Sequence, residues 1–152
     1  MNLSSVPTAA ERIESVKAGI LAALSATLAY GAIAVVNSLI LAESFEFLQE
    51  LQITTGINLL IKLAIACLSG FLFGVTYRYA VRTDPNPHLK TGVVMAFGLV
   101  RGLALVEVKH NGMDSFWLLA VLLVESILYF AIARLALDSA FHRSWVKPFK
   151  SS

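Results

Sequence analysis

What most constrains this chain is a series of four apolar stretches, each long enough to cross a bilayer, separated by polar breaks. A hydrocarbon core about 30 Å thick needs roughly 20 consecutive, mostly apolar residues in a helix. The stretches at 18–42, 57–81, 91–108 and 115–137 meet that need, the third being the shortest. Inside lipid every backbone N–H and C=O must find an internal partner, so stretches of this kind fold as helices. The expected fold class is all-α: an integral membrane bundle of four transmembrane helices, with 1–152 as a single domain. Composition agrees, at 57% hydrophobic and 14% charged residues, where soluble domains carry about 25% charged. The first stretch is longer than the apolar core of a secretory signal and runs directly into Glu43, so it reads as a retained span.

The polar breaks have distinct characters. Thr8 and Glu11 fit a capping box ahead of Ile13, Val16 and Ile20, which predicts an amphipathic N-terminal segment over 8–17 running into the first span. Segment 43–53 carries three carboxylates and no Lys or Arg, and predicts an acidic helix at the membrane surface or a protruding end of the first span. Asp84-Pro85-Asn86-Pro87 predicts a stiff turn, because residues before proline avoid the helical region. Tyr77, Arg78, Tyr79 and Arg82 read as the exit of the second span into an interface. The tail 138–152 sets Phe141, Trp145 and Phe149 four apart among His142, Arg143, Lys147 and Lys150. Such a basic aromatic segment is expected on the headgroup layer of an anionic leaflet.

Charge asymmetry predicts the orientation. With both termini inside (cytoplasm or stroma), the inner side collects Arg12, Lys17, Arg78, Arg82, Lys90, Arg134, Arg143, Lys147 and Lys150. The outer side keeps only Lys109, with Lys62 near an outer end. That is the positive-inside pattern and predicts N-in/C-in.

Small residues at four-residue spacing let helix backbones approach closely. They occur at Gly19, Ala23, Thr27 and Gly31, at Ala66, Gly70 and Gly74, at Gly92 and Ala96, and at Gly98 and Gly102. The last pair flanks Arg101, a charge near the middle of a span, where insertion costs several kcal/mol unless compensated. Arg101 lies about seven residues in from the loop at 109–114 and Glu125 about eight beyond Trp117; at about 1.5 Å per residue the two reach similar depth. An Arg101–Glu125 pair is therefore expected, with Lys62 and Glu107 as a second, shallower pair. The preferred reading is that these pairs lock the bundle in register. The sharper one is a proton- or anion-handling pocket near the midplane.

Enzyme motifs are absent: no GxSxG, no phosphate-cradling glycine loop and no HExxH. No cofactor motif occurs, and His88, His110 and His142 lack zinc-ligand spacing, so no metal is expected. The lone Cys67 reads as a small core residue. The basic tail, coming after a span, is expected to meet lipid or a partner protein's acidic face rather than nucleic acid.

Gly70-Phe-Leu-Phe-Gly-Val-Thr-Tyr-Arg-Tyr-Ala-Val-Arg-Thr-Asp-Pro-Asn-Pro-His-Leu-Lys-Thr-Gly92 and Ala96-Phe-Gly-Leu-Val-Arg-Gly-Leu-Ala104 resemble a family of small multi-pass membrane proteins of cyanobacteria and chloroplasts. The resemblance is strongest over 70–107. It implies a thylakoid or plasma membrane of a photosynthetic cell and carries over no catalytic residues. The four-span size also resembles small multidrug transporters, but their first-span Glu has no counterpart here. The expectation is a non-enzymatic accessory, assembly or stabilising factor for a larger membrane complex, which the resemblance implies is a photosynthetic one. Its partners would be the bilayer and a membrane protein or further copies of itself. The alternative is a small oligomeric transporter or channel component using the buried Arg/Glu pair.

Overall fold

A computed structural model describes residues 8–37, 39, 56–82, 84, 86–107 and 115–149, with side chains through Leu105 in the third helix and from Phe116 in the fourth. Four helices result: α1 (Ala9–Val36), α2 (Gly56–Val81), α3 (Pro87–Glu107) and α4 (Ser115–His142). All four are long and apolar enough to cross a membrane, and the described residues contain no strand. The acidic segment 43–53 and the loop 109–114 lie outside the described residues.

Local chemistry sets the helix ends. Thr8 caps α1, its hydroxyl accepting the Glu11 N–H at 3.3 Å. The Glu11 side chain, expected to return to the cap, instead reaches Arg78 on α2. Before α3, Asp84 Oδ1 accepts the Asn86 N–H and Asn86 Oδ1 accepts the His88 N–H. Pro87 is the first helical residue, where its missing N–H costs nothing. α2 and α4 each end in a non-glycine residue with positive φ beyond the last turn, Arg82 at 47° and Ser144 at 59°. The last helix continues to His142, five residues past the expected end of its span at Leu137.

The bundle is built from two tight hairpins. On α1, Ala18, Ala22 and Ala26 form a fully buried row that meets Ala66, Gly70 and Gly74 of α2. A Cβ on Gly74 would sit 2.5 Å from the Ala18 carbonyl oxygen, and one on Gly70 2.7 Å from Ala26 Cβ. The α1 seam is thus shifted by one residue from the expected row. Gly19 and Ala23 are buried at its flank, but Gly31 faces open space. In the second hairpin Gly98 and Gly102 of α3 lie against Ile127 and Leu123 of α4, where added Cβ atoms would fall 2.8 and 2.7 Å from those side chains. Gly92 touches nothing comparable.

The hairpins join mainly through α1 against α4, while α2 and α3 touch only sparsely. An aromatic layer fills the join on the side of the α1 N-terminus. Phe73, Phe97 and Phe130 sit with ring centroids 5.0–5.4 Å apart, extended by Tyr77 and Tyr129. The perimeter carries large apolar side chains such as Leu28, Leu60, Leu68 and Leu135, as a lipid-facing surface requires. Cys67 belongs to that exposed perimeter rather than to the core, a correction to the expectation from sequence. It lies one position past the buried Ala66, about 100° around the helix.

Candidate functional site

Two polar constellations occupy opposite ends of the bundle. At the end holding the α1 N-terminus, Arg78 is the largest fully buried side chain among the described residues, 1% exposed. Its Nε donates to the Lys147 carbonyl at 2.8 Å, and Nη1 donates to Ser15 Oγ at 2.7 Å and the Glu11 carbonyl at 3.1 Å. Nη2 pairs with the Glu11 carboxylate. Phe149 lies 5.6 Å from the guanidinium carbon. This corrects the reading of Tyr77 and Arg78 as an interfacial exit, since both are buried. Four-residue spacing carries the Ala66-Gly70-Gly74 row on to Arg78, which therefore faces α1 and not the headgroups. That continuation was the available signal.

The same knot alters the tail. Residues 143–149 fold back onto the bundle end: Val146 is buried, the Lys147 N–H donates to Glu14 Oε2 at 2.9 Å, and the Phe149 ring is 5.0 Å from Tyr79. Glu14 also receives the Lys17 ammonium at 2.8 Å. In the polar turns ahead of the apolar run, these bonds hold the Glu14 carboxyl below its ordinary value, Lys17 contributing most and the Lys147 N–H next. The tail thus spends Val146 and Phe149 on the protein itself, leaving Arg143 and Trp145 outward, the guanidinium 5.6 Å from the indole. Beside the knot, Asp138 accepts from Tyr77 Oη at 2.8 Å and Lys90 Nζ at 3.2 Å. Arg134 Nε lies 3.5 Å from the same carboxylate without hydrogen-bond geometry, and its Nη1 donates to Thr91 at 3.1 Å.

Toward the other end, a chamber of about 110 Å³ is lined by Tyr30, Asn37, Lys62, Arg101 and Glu125, with apolar residues between them. Three of the four residues expected to pair, Arg101, Glu125 and Lys62, thus share one chamber, and the described hydrogen bonds of Arg101 and Glu125 go to other partners. Arg101 Nη1 donates to Ser69 Oγ at 3.0 Å, with the guanidinium carbon 4.7 Å from the Tyr129 ring centroid. Asn37 Nδ2 donates to Glu125 Oε1 at 2.7 Å. Ser69 Oγ is 3.1 Å from Tyr129 Oη, which also donates to the Ala66 carbonyl. Lys62 lines the chamber, and none of the described hydrogen bonds or ion pairs involves its ammonium. Glu107 ends α3, and its side chain lies outside what the structure describes.

Comparison with protein-family models, curated proteins and solved structures finds no match. The chemistry must be read from the residues alone. Among the described residues, no three His, Cys, Asp or Glu side chains gather where they would hold a metal. The expected site residues separate into two kinds. Gly70, Gly74, Gly98 and Gly102 lie where a neighbouring helix leaves no room for a Cβ, while Arg101, Glu125 and Lys62 face a common space. Sequence reasoning missed Asn37, Ser69 and Tyr129 as their partners. Uncharged polar residues in a span give no signal of their own until the helix phases are known.

Two grooves adjoin the chamber. Between α2 and α3 lies an apolar groove of about 570 Å³ with Ser69 and Arg101 in its wall. Between α1 and α4 lies another, of about 470 Å³, reaching Asn37 and Glu125. Toward the opposite end, the aromatic layer and the Arg78 knot close the bundle.

Proposed function

We propose that this protein is a non-enzymatic accessory, assembly or stabilising factor for a larger membrane complex. It sits N-in/C-in, with the Arg78 end on the cytoplasmic or stromal side. The observation that carries this reading is the docked tail. Exposed Arg12, Lys17, Arg143, Trp145 and Lys147 surround a buried knot that ties the tail backbone at Lys147 to α1 and α2. A preorganised cationic and aromatic surface suits an acidic face on a partner, because little side-chain and loop ordering remains to be lost on binding. The resemblance to proteins of cyanobacteria and chloroplasts supports a thylakoid or plasma membrane and a photosynthetic complex as partner. Mild-detergent extraction tests the reading. The chain should migrate with a large complex, and Arg143→Glu combined with Lys147→Glu should release it while the bundle stays folded. Migration as a homo-oligomer alone would overturn it.

A second reading is a small oligomeric transporter or channel component, and the polar chamber is what favours it. Exchanging the charges, Arg101→Glu with Glu125→Arg, separates the two. An accessory protein keeps its complex and its complementing activity after the exchange; a transporter keeps its fold and loses flux.

A further inference from the structure

The groove between α2 and α3 has a chemistry that neither packing nor a docking role at the other end uses. Its wall is apolar, with Ala96, Phe97, Val100 and Ala104 supplied by α3, and Val100 at its lip is 70% exposed. Ile65, Arg101 and Leu105 line both this groove and the polar chamber behind it, so the two spaces adjoin at Arg101. We propose that this site binds a long-chain carboxylate, its acyl chain in the groove and its carboxylate on Arg101 and Lys62. The proposal is independent of the accessory role.

Charge comes first. The side chains lining the chamber include two cations, Arg101 and Lys62, and one carboxylate, Glu125. Among the described lining residues, one further anion would balance that charge. Arg101 has five N–H donors in a planar fork, and its described hydrogen bond, to Ser69, uses only one nitrogen. A carboxylate is the group that such a fork receives in two parallel bonds. In a low-dielectric setting these bonds are stronger than in water.

Size and length then choose among anions. A water occupies about 30 Å³ in the liquid, so the chamber of about 110 Å³ has room for a carboxylate but not for a glycerophosphate headgroup. From Ala96 to Leu105 the groove follows α3 for about 14 Å at about 1.5 Å per residue. That is roughly half a hydrocarbon core, too short to seat a partner helix along its whole span. It suits one acyl chain entering from one leaflet. The volume of about 570 Å³ falls among ordinary small-molecule sites.

The test uses the full chain in a non-ionic detergent and the fluorescent fatty acid cis-parinaric acid. Saturable binding is expected, at least tenfold weaker for the methyl ester, which keeps the chain and removes the charge. Arg101→Gln should weaken parinarate binding at least tenfold, and Ala104→Trp, which fills the groove without touching a charge, should abolish it. Oleate should displace the probe and dioleoylphosphatidylglycerol should not. Equal affinity for acid and ester on the wild-type protein, a comparison no folding defect can disturb, would overturn the proposal. So would no saturable binding, or displacement by the phospholipid as effective as by oleate.

Discussion

Arg78 and Arg101 are the same residue on adjacent helices, each beside a glycine seam, and the bundle surrounds them differently. Arg78 is withdrawn from solvent and donates to two carbonyls, a hydroxyl and a carboxylate contributed by α1 and the tail. Arg101 is half-buried, rests on the Tyr129 ring and donates to one hydroxyl. A buried guanidinium on one helix whose donors are met from two other parts of the chain fixes all three together. One whose fork is partly unused, beside an open groove, is positioned to meet something from outside. The difference follows from neighbours: α1 lies close against α2 along its alanine row, whereas α2 and α3 touch only sparsely.

The largest test of that contrast is Arg78→Leu. Removing one member of a buried ionic cluster costs about 3–5 kcal/mol, so thermal unfolding in detergent should shift strongly and the tail should become protease-sensitive. Arg78→Lys should recover less than half of the loss, because an ammonium lacks the planar fork. If Arg78→Leu unfolds no earlier than Arg101→Gln, the two arginines do not differ as argued. Gly74→Leu comes next. Its side chain would press on the Ala18 carbonyl and Ala22, and overpacking of this kind costs about 1–3 kcal/mol, while Gly92→Leu, facing open space, should melt as wild type. Arg101→Gln should cost about 1 kcal/mol, the scale of one hydrogen bond and a cation–π contact.

The smallest effect concerns pH. The Glu14 carboxyl is lowered from 4.5 by Lys17 and the Lys147 N–H. Its contribution is complete above that ordinary value and fades as pH falls through the lower folded one. Trp145 emission, read in a Trp117→Phe background, should therefore hold steady from neutral pH to about pH 4.5 and change only below it. A change centred near pH 6 would mean that another group governs the docking.

The two arginines also mark what could be read from sequence. Span lengths located all four helices, because lipid leaves a long apolar run no other fold. The rows Ala66-Gly70-Gly74 and Gly98-Gly102 pointed to seams because only small side chains admit a neighbouring backbone. The α1 seam was placed one residue off because alanine dominates that span, so that several small-residue rows compete and only the partner helix decides among them. Arg78 was misplaced because Tyr-Arg-Tyr at a span's end resembles an aromatic belt. Its acceptors, at Glu11, Ser15 and Lys147, are brought together only by the tertiary fold. That Arg101 and Glu125 reach one chamber followed from depth along the helices, whereas Lys62, expected in a shallower pair with Glu107, lines the same chamber, and the hydrogen-bonding partners needed helix rotations that depth does not supply.

The bond from Arg78 to the Lys147 carbonyl spans 69 residues of chain. During synthesis the second helix leaves the ribosome with a guanidinium one of whose acceptors, the Lys147 carbonyl, has not yet been made. The first hairpin can close its alanine and glycine seam early, but its Arg78 end is finished only when the tail arrives and folds over it. A chain that stops before residue 147 leaves Arg78 Nε without this acceptor and that side of the guanidinium uncovered, although Glu11 and Ser15 still hold its other two nitrogens. Residues 143–149 thus act as a latch over a cation that α1 alone holds only in part.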